Sequence, residues 1–206
     1  MIKFDRNVAV RAMLAVAALV LGSCASTELT NSWRSPDYKG GTLKKIFVVG
    51  VSKQPALRRI FEDEFVKQLK ASGVDAIPSY TLIPQVAEAD AARLKEAAGR
   101  SGADGMLVTR LVRAGADAQF TPAFRPTPGS TFAAGYSAAW TGYHEPSAAP
   151  TPETVVLETN LYGGGDDSKL LWSGTTETFA PSGELQKDIQ GFVKLVVEKL
   201  RKENLI

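Results

Sequence analysis

Few side chains in this chain stand out by type or clustering as a candidate nucleophile, metal ligand or proton carrier. They are one cysteine, Cys24, one histidine, His144, a run of three carboxylates, Glu62-Asp63-Glu64, and a pair, Asp166-Asp167. A single histidine and a single cysteine cannot build a zinc site of the His/Cys kind. His144 stands between Tyr143 and Glu145 with no orienting partner that the sequence locates, so it reads as a solvent-exposed loop histidine. Successive helical positions diverge by about 100°, so the three carboxylates cannot all meet at one site and read as a solvated face. Asp166 and Asp167 follow three glycines and read as turn residues rather than cation ligands. Gly135-Tyr136-Ser137-Ala138-Ala139 lacks the second glycine of a nucleophile elbow, and no Ser-x-x-Lys occurs. Neither glycine-rich phosphate-loop pattern is present. The expectation is a chain that is not an enzyme, with no catalytic residue, no metal and no cofactor.

Cys24 has the most informative surroundings. A lone cysteine cannot close an internal disulfide, so it is either an intermolecular or reactive thiol or a modified residue, and its position favours modification. Upstream stand Lys3, Arg6 and Arg11 and then ten uncharged apolar residues, Ala12 to Leu21, the layout of a secretory signal peptide. A membrane span needs roughly 20 apolar residues, so an uncleaved anchor does not fit. Leu21-Gly22-Ser23-Cys24 resembles a bacterial lipobox. The resemblance implies cleavage before Cys24 and acylation of that cysteine, with residues 1–23 as signal peptide and residues 24–43 as a lipidated tether. Gly22-Ser23 also suits ordinary secretory cleavage. Several acyl chains give stable attachment where one gives marginal binding, so the lipid bilayer is the expected partner of Cys24. Ala25, rather than aspartate, follows, and by resemblance to enteric lipoproteins this implies an outer-membrane location with the domain in the periplasm.

Removing residues 1–23 takes three of the 24 basic residues and one of the 22 acidic ones, so the remainder is formally neutral. No basic cluster remains to suggest a nucleic-acid partner. In the tether, Trp33 and Tyr38 read as docked on the domain, with Pro36 fixing a bend.

The elements of the domain, residues 44–206, follow from periodicity. Ile46 to Ser52 is a continuous apolar run of the kind that forms a strand buried on both faces. Pro55 opens a helix bearing Leu57, Ile60, Phe61, Phe65 and Leu69, which Gly73 ends. Val74 to Tyr80 reads as a short strand at an edge because of Pro78. Val86 to Ala98 reads as a second helix and Met106 to Val112 as a third strand. Val155 to Tyr162 alternates and reads as a strand with one lightly covered face, paired through Gly163-Gly164-Gly165 with Leu170 to Thr175. A last helix starts after Ser182 and carries Leu185, Ile189, Phe192, Val193, Val196 and Leu200. The expected fold is a single α/β domain with a mixed five-stranded sheet in order 2-1-3-4-5, the first three strands parallel, flanked by three helices.

Between the third and fourth strands, Phe120 to Glu153 holds six of the eleven prolines among scattered aromatics and shows no regular period. Such an insert is either functional or a spacer. On the functional reading Phe124, Phe132, Tyr136, Trp140 and Tyr143 are surface anchors for a partner.

Ile46 to Ser52, Gly102 to Val108, and Asn160-Leu161-Tyr162 with Lys169 to Gly174 resemble a set of uncharacterised bacterial lipoproteins. More distantly they are similar to the Tol-system N-terminal domain, the curli-secretion lipoprotein and the lipoprotein activators of penicillin-binding proteins. These resemblances imply a non-catalytic binding or structural module facing the periplasm, with an envelope protein as partner. A small-ligand binder and a carboxylate-dependent enzyme are the alternatives.

Overall fold

The apolar run at Lys45–Val51 forms the strand β2, whose side chains from Ile46 onward are buried on both faces. The computed structural model describes residues 26–114, 126–141, 143, 154–165, 167–179 and 184–206, and among these one sheet is built around that run. The other strands are β1 (Ser26–Arg34), β3 (Asp75–Pro78), β4 (Gly105–Ala114), β5 (Thr154–Gly163) and β6 (Leu170–Phe179), in the spatial order β1-β6-β5-β4-β2-β3. β2 runs parallel to β3 and β4, while β5 and β6 are antiparallel neighbours. The five expected strands therefore keep their relative order, and a sixth lies beyond them.

That sixth strand corrects the reading of residues 24–43 as a polar tether. Residues 26–34 pair antiparallel with β6, from Ser26 opposite Phe179 to Arg34 opposite Trp172. Leu29 packs on one face of the sheet and Trp33 on the other, while Glu28, Thr30 and Asn31 are exposed. An edge strand is served by polar and charged residues that discourage further pairing, and this same polarity hides it in the sequence. Tyr38 docks as expected, packing on the core with its hydroxyl donating to the Gly41 carbonyl at 2.6 Å.

Four helices cover the sheet among the described residues, one more than expected: α1 (Pro55–Ala71), α2 (Ala91–Arg100), α3 (Phe132–Thr141) and α4 (Leu185–Lys202). On one face α1 and α4 meet through Phe61 and Phe65, which stand edge-on to Phe192 at 6.1 and 5.6 Å. Beneath them lie Ile46, Val48, Leu107, Leu161 and Trp172. On the other face α2 and α3 cover Phe47, Val49, Met106, Val108, Tyr162 and Leu170. With helices on both faces, β5 is buried on both sides, so the lightly covered face expected for it is not there. Ser182, expected as the cap of the last helix, lies outside the described residues. Glu184 occupies the N-cap position of α4 and makes no side-chain cap bond.

The additional helix, α3, sits inside the insert that showed no period. Phe132, Tyr136 and Trp140 are four residues apart and so share one helical face. Phe132 stacks on Tyr136 at 5.5 Å and stands edge-on to Tyr162 at 5.6 Å. Close approach is permitted by Gly135, where a Cβ would overlap the Tyr162 hydroxyl. Gly135→Ala gains helix propensity, yet it should destabilise the domain by about 1–3 kcal/mol because α3 must lift from the sheet. Chemical denaturation of the variant beside the parent measures this, with Ala134→Gly as the propensity control.

Candidate functional site

The crossover β2-α1-β3 passes over one face of the sheet and β3-α2-β4 over the other, so the chain parts at the carboxyl ends of β2 and β4. In open α/β sheets that is where ligands bind. Here the crevice is nearly closed: a cavity of about 10 Å³ lies among Gly50, Ser52, Arg58, Phe61, Arg110 and Tyr143, room for roughly one water.

Behind the lining residue Arg58 stands Glu62. β3 stops at Pro78, opposite Val48, which leaves the Gly50 N–H two residues further on without a strand to bond. Glu62 Oε1 takes that N–H at 2.9 Å and also accepts from Arg58 Nε at 2.9 Å and Ser79 Oγ at 2.6 Å, while Oε2 accepts the Tyr80 N–H at 3.0 Å. Arg58 Nη2 donates to Ser79 Oγ at 2.7 Å. Both members of the pair are buried, Arg58 at 2% exposure and Glu62 at 0%. Burial pushes the Glu62 carboxyl upward, opposed by the Arg58 charge and by the hydrogen bonds from Gly50, Ser79 and Tyr80.

A second buried pair bridges β4 and β5. Arg110 and Glu158 are cross-strand partners, with Arg110 Nη2 at 2.9 Å from Glu158 Oε2 and Asn160 Nδ2 at 2.8 Å from Oε1. The carboxylates of both pairs accept from fixed donors, so these groups act chemically as ties between elements. Among the described residues no three His, Cys, Asp or Glu side chains gather to hold a metal ion. Two grooves on the surface, of about 410 Å³ beside α2 and about 480 Å³ between β1, α1 and α4, are lined by lysine, glutamate and small residues.

The structure redistributes the residues singled out in the sequence. Cys24, Phe124 and His144 lie outside the described residues, as does Asp166. Asp167 is exposed and pairs with Lys169 at 3.0 Å. Glu62, Asp63 and Glu64 do diverge, but they are not a solvated face: Asp63 is exposed and accepts from the Tyr80 hydroxyl at 2.6 Å, Glu62 is buried as described, and Glu64 is buried against Gln68 at 2.7 Å. A buried acid was foreshadowed by Arg58 four residues before Glu62, one helical turn away. The insert's aromatics are likewise corrected. Phe132 and Tyr136 are core residues rather than surface anchors, exposed by 1% and 3%. Trp140 and Tyr143 are half-buried. Tyr143 closes over the crevice, its hydroxyl accepting from the Lys53 N–H at 3.2 Å with the Lys53 ammonium 5.4 Å from the ring centroid.

The fold and site together define a three-layer mixed α/β domain whose switch-point crevice is filled by ion pairs. No family model matches the sequence, and no curated protein does. Among solved structures the chain is similar to a dodecamer of a PelC variant from Paraburkholderia phytofirmans, with a TM-score of 0.45 and 14% identity over 84% of this chain and 96% of that one. It is also similar to another PelC dodecamer from the same organism, with a TM-score of 0.41 and 15% identity over 82% and 94%. Likeness at this level bears on neither the activity nor the assembly of this chain.

Two outcomes test the site. Glu62→Ala strands a buried guanidinium and the Gly50 and Tyr80 N–H groups, and should cost about 3–5 kcal/mol in denaturant unfolding. Glu62→Gln should also destabilise, since its amide nitrogen must face a donor. Tyr136 is held neutral by burial, which pushes its phenol up to about 12, while its hydroxyl donates to the Ala89 carbonyl at 2.5 Å. A raised phenol contributes stability that is fully present below pH 10 and is lost as pH rises towards 12, up to about 2–3 kcal/mol. Unfolding measured between pH 9 and 12 should therefore fall less steeply in Tyr136→Phe than in the parent.

Proposed function

We propose that this protein is a bacterial envelope lipoprotein, acylated at Cys24 and held at the periplasmic face of the outer membrane, whose domain is a non-catalytic binding or structural module. The observation that carries the module reading is the state of the switch point. The place where an α/β sheet would take a substrate is closed to a cavity of about 10 Å³ by Arg58, Arg110 and Tyr143, with Arg58 held from behind by Glu62 and Ser79. Small-molecule sites usually enclose a few hundred Å³ or more. The anchoring reading is supported by Leu21-Gly22-Ser23-Cys24 and by the charged and apolar segments that precede it. Of the five aromatics of the insert considered for partner contact, Trp140 and Tyr143 keep accessible surface for an envelope protein, and Phe132 and Tyr136 do not.

Cys24 precedes the first strand, so Cys24→Ser should leave the melting temperature of the domain unchanged. The variant should lose labelled palmitate and move from the membrane to the soluble fraction of the envelope. A variant that has lost residues 1–23 and still stays in the membrane fraction without label would assign attachment to the domain and refute the acyl anchor.

A further inference from the structure

We infer that the end of the domain at which the parallel strands begin is a docking surface for an acidic polypeptide segment. Four stretches of the chain meet there. Residues 39–45 lead into β2, and the Lys44 carbonyl accepts the Asp75 N–H at 2.9 Å, where α1 has given way to β3. Asp104 accepts the Lys44 and Lys45 N–H groups at 2.8 and 2.9 Å, just before β4 opens at Gly105. The Leu43 N–H donates to the Leu205 carbonyl at 2.8 Å, which brings in the chain beyond α4. All four stretches lie within the described residues.

Five exposed basic side chains, Lys39, Lys44, Lys70, Arg201 and Lys202, stand at this end, and none is in an ion pair or over an aromatic ring. Elsewhere among the described residues only Arg34 and Lys187 are left in that state. The carboxylates here are mostly engaged: Asp75 pairs with Lys45 at 3.5 Å, Glu203 pairs with Lys199 at 2.9 Å, and Asp104 holds backbone, while Asp37 is exposed without an ion pair. Lys70, Arg201 and Lys202 sit in the last turns of α1 and α4. Each helix end carries about half a negative charge, too little to offset three cations. Lys39 and Lys44 are on no helix. Towards the other end the sign reverses, with Glu28 opposite Glu177 across β1 and β6. The surplus of positive charge at one end is a field that draws an acidic partner and sets its orientation. The five cations stand outside both surface grooves, which suits an extended acidic segment rather than a small anion.

This is also the end away from Cys24. Ser26, two residue steps or at most about 7 Å from that cysteine, is opposite Phe179. Phe179 is opposite Thr154 and Val155 opposite Ala114, so β1 opens level with the end of β4. β4 begins beside Ile46 and runs from Gly105 to Ala114, about 30 Å along the strand. With Cys24 acylated, the bilayer therefore lies at the opposite end from these cations, and their partner is not the leaflet that holds the protein. The choice of polypeptide over lipid rests on that anchor, whereas the charge surplus does not.

The acylated protein, held in phosphatidylcholine nanodiscs, is titrated with a dye-labelled peptide of alternating Glu and Asp, and binding is read by fluorescence anisotropy at rising NaCl. Binding should weaken steeply with salt. Lys39→Glu combined with Lys44→Glu should weaken it about tenfold at low salt. Lys187→Glu combined with Lys194→Glu alters the net charge equally on the exposed face of α4 and should leave binding within about twofold. All four positions are exposed, and melts check that each variant is folded. No binding by the parent, or equal loss in the two double variants, would overturn the inference and leave these cations to the helix ends. Flotation with phosphatidylglycerol vesicles is the second arm: capture that Lys39→Glu with Lys44→Glu abolishes, without peptide binding, would assign the surface to lipid and overturn the polypeptide. Protein whose mass shows no acyl chain on Cys24, yet which binds the peptide in solution with the same pattern of variants, would refute the lipoprotein reading and leave the docking surface standing.

Discussion

A single carboxylate stands where three parts of the fold would otherwise come apart. β3 is only four residues long, and its end at Pro78 leaves the centre of the sheet with an unpaired backbone donor. Glu62 reaches from α1 to satisfy that donor, and by accepting from Ser79 and Tyr80 it ties the chain that leaves β3 to the same point. Burying a carboxylate is costly unless a charge and hydrogen bonds accompany it. Arg58, one helical turn away, supplies the charge. The crossing of α1 over the sheet, the stop of β3 and the closure of the switch point are thus one structural solution. Gly50 belongs to it: a Cβ there would meet the Arg58 carbonyl at 3.3 Å and the Glu62 side chain at 3.5 Å.

Much of the architecture was legible because its signals are local. The apolar run of β2, the helical stripe of α1 ending at Gly73, and the glycine turn between β5 and β6 each announce themselves within a dozen residues, and the order of those strands follows from short connections. What was not legible depends on partners distant in sequence. β1 has the composition of a linker and becomes a strand only because β6 offers it an edge. α3 was masked by the prolines and glycines around it, although Phe132, Tyr136 and Trp140 carried a helical spacing. Composition averaged over the whole insert outweighed a ten-residue pattern inside it.

The candidate site shows the same division. The Glu62 region was read as a solvated face because the residues were treated as a helix without a sheet beside it. The Arg110 and Glu158 pair needed the register of β4 against β5, which no short-range pattern provides. Aromatic residues in a proline-rich stretch suggested a docking surface, whereas Phe132 and Tyr136 complete the core over Tyr162. The insert thus contributes a structural layer, and shortening it through α3 would uncover the apolar face of β4 and β5.

The pairing of β1 also orders events during folding. Its partner is the strand closest to the end of the chain before α4, and Thr27 bonds Thr178 across 151 residues of sequence. Contacts of such separation form late, because the closure entropy of the whole intervening loop must be met first. Residues 26–34 therefore remain single-stranded until β6 has been made and has joined β5. The N-terminal segment is the first part of the chain to be synthesised and the last to be built into the sheet, so it stays open to any enzyme that must read or cut beside it for nearly the whole of synthesis.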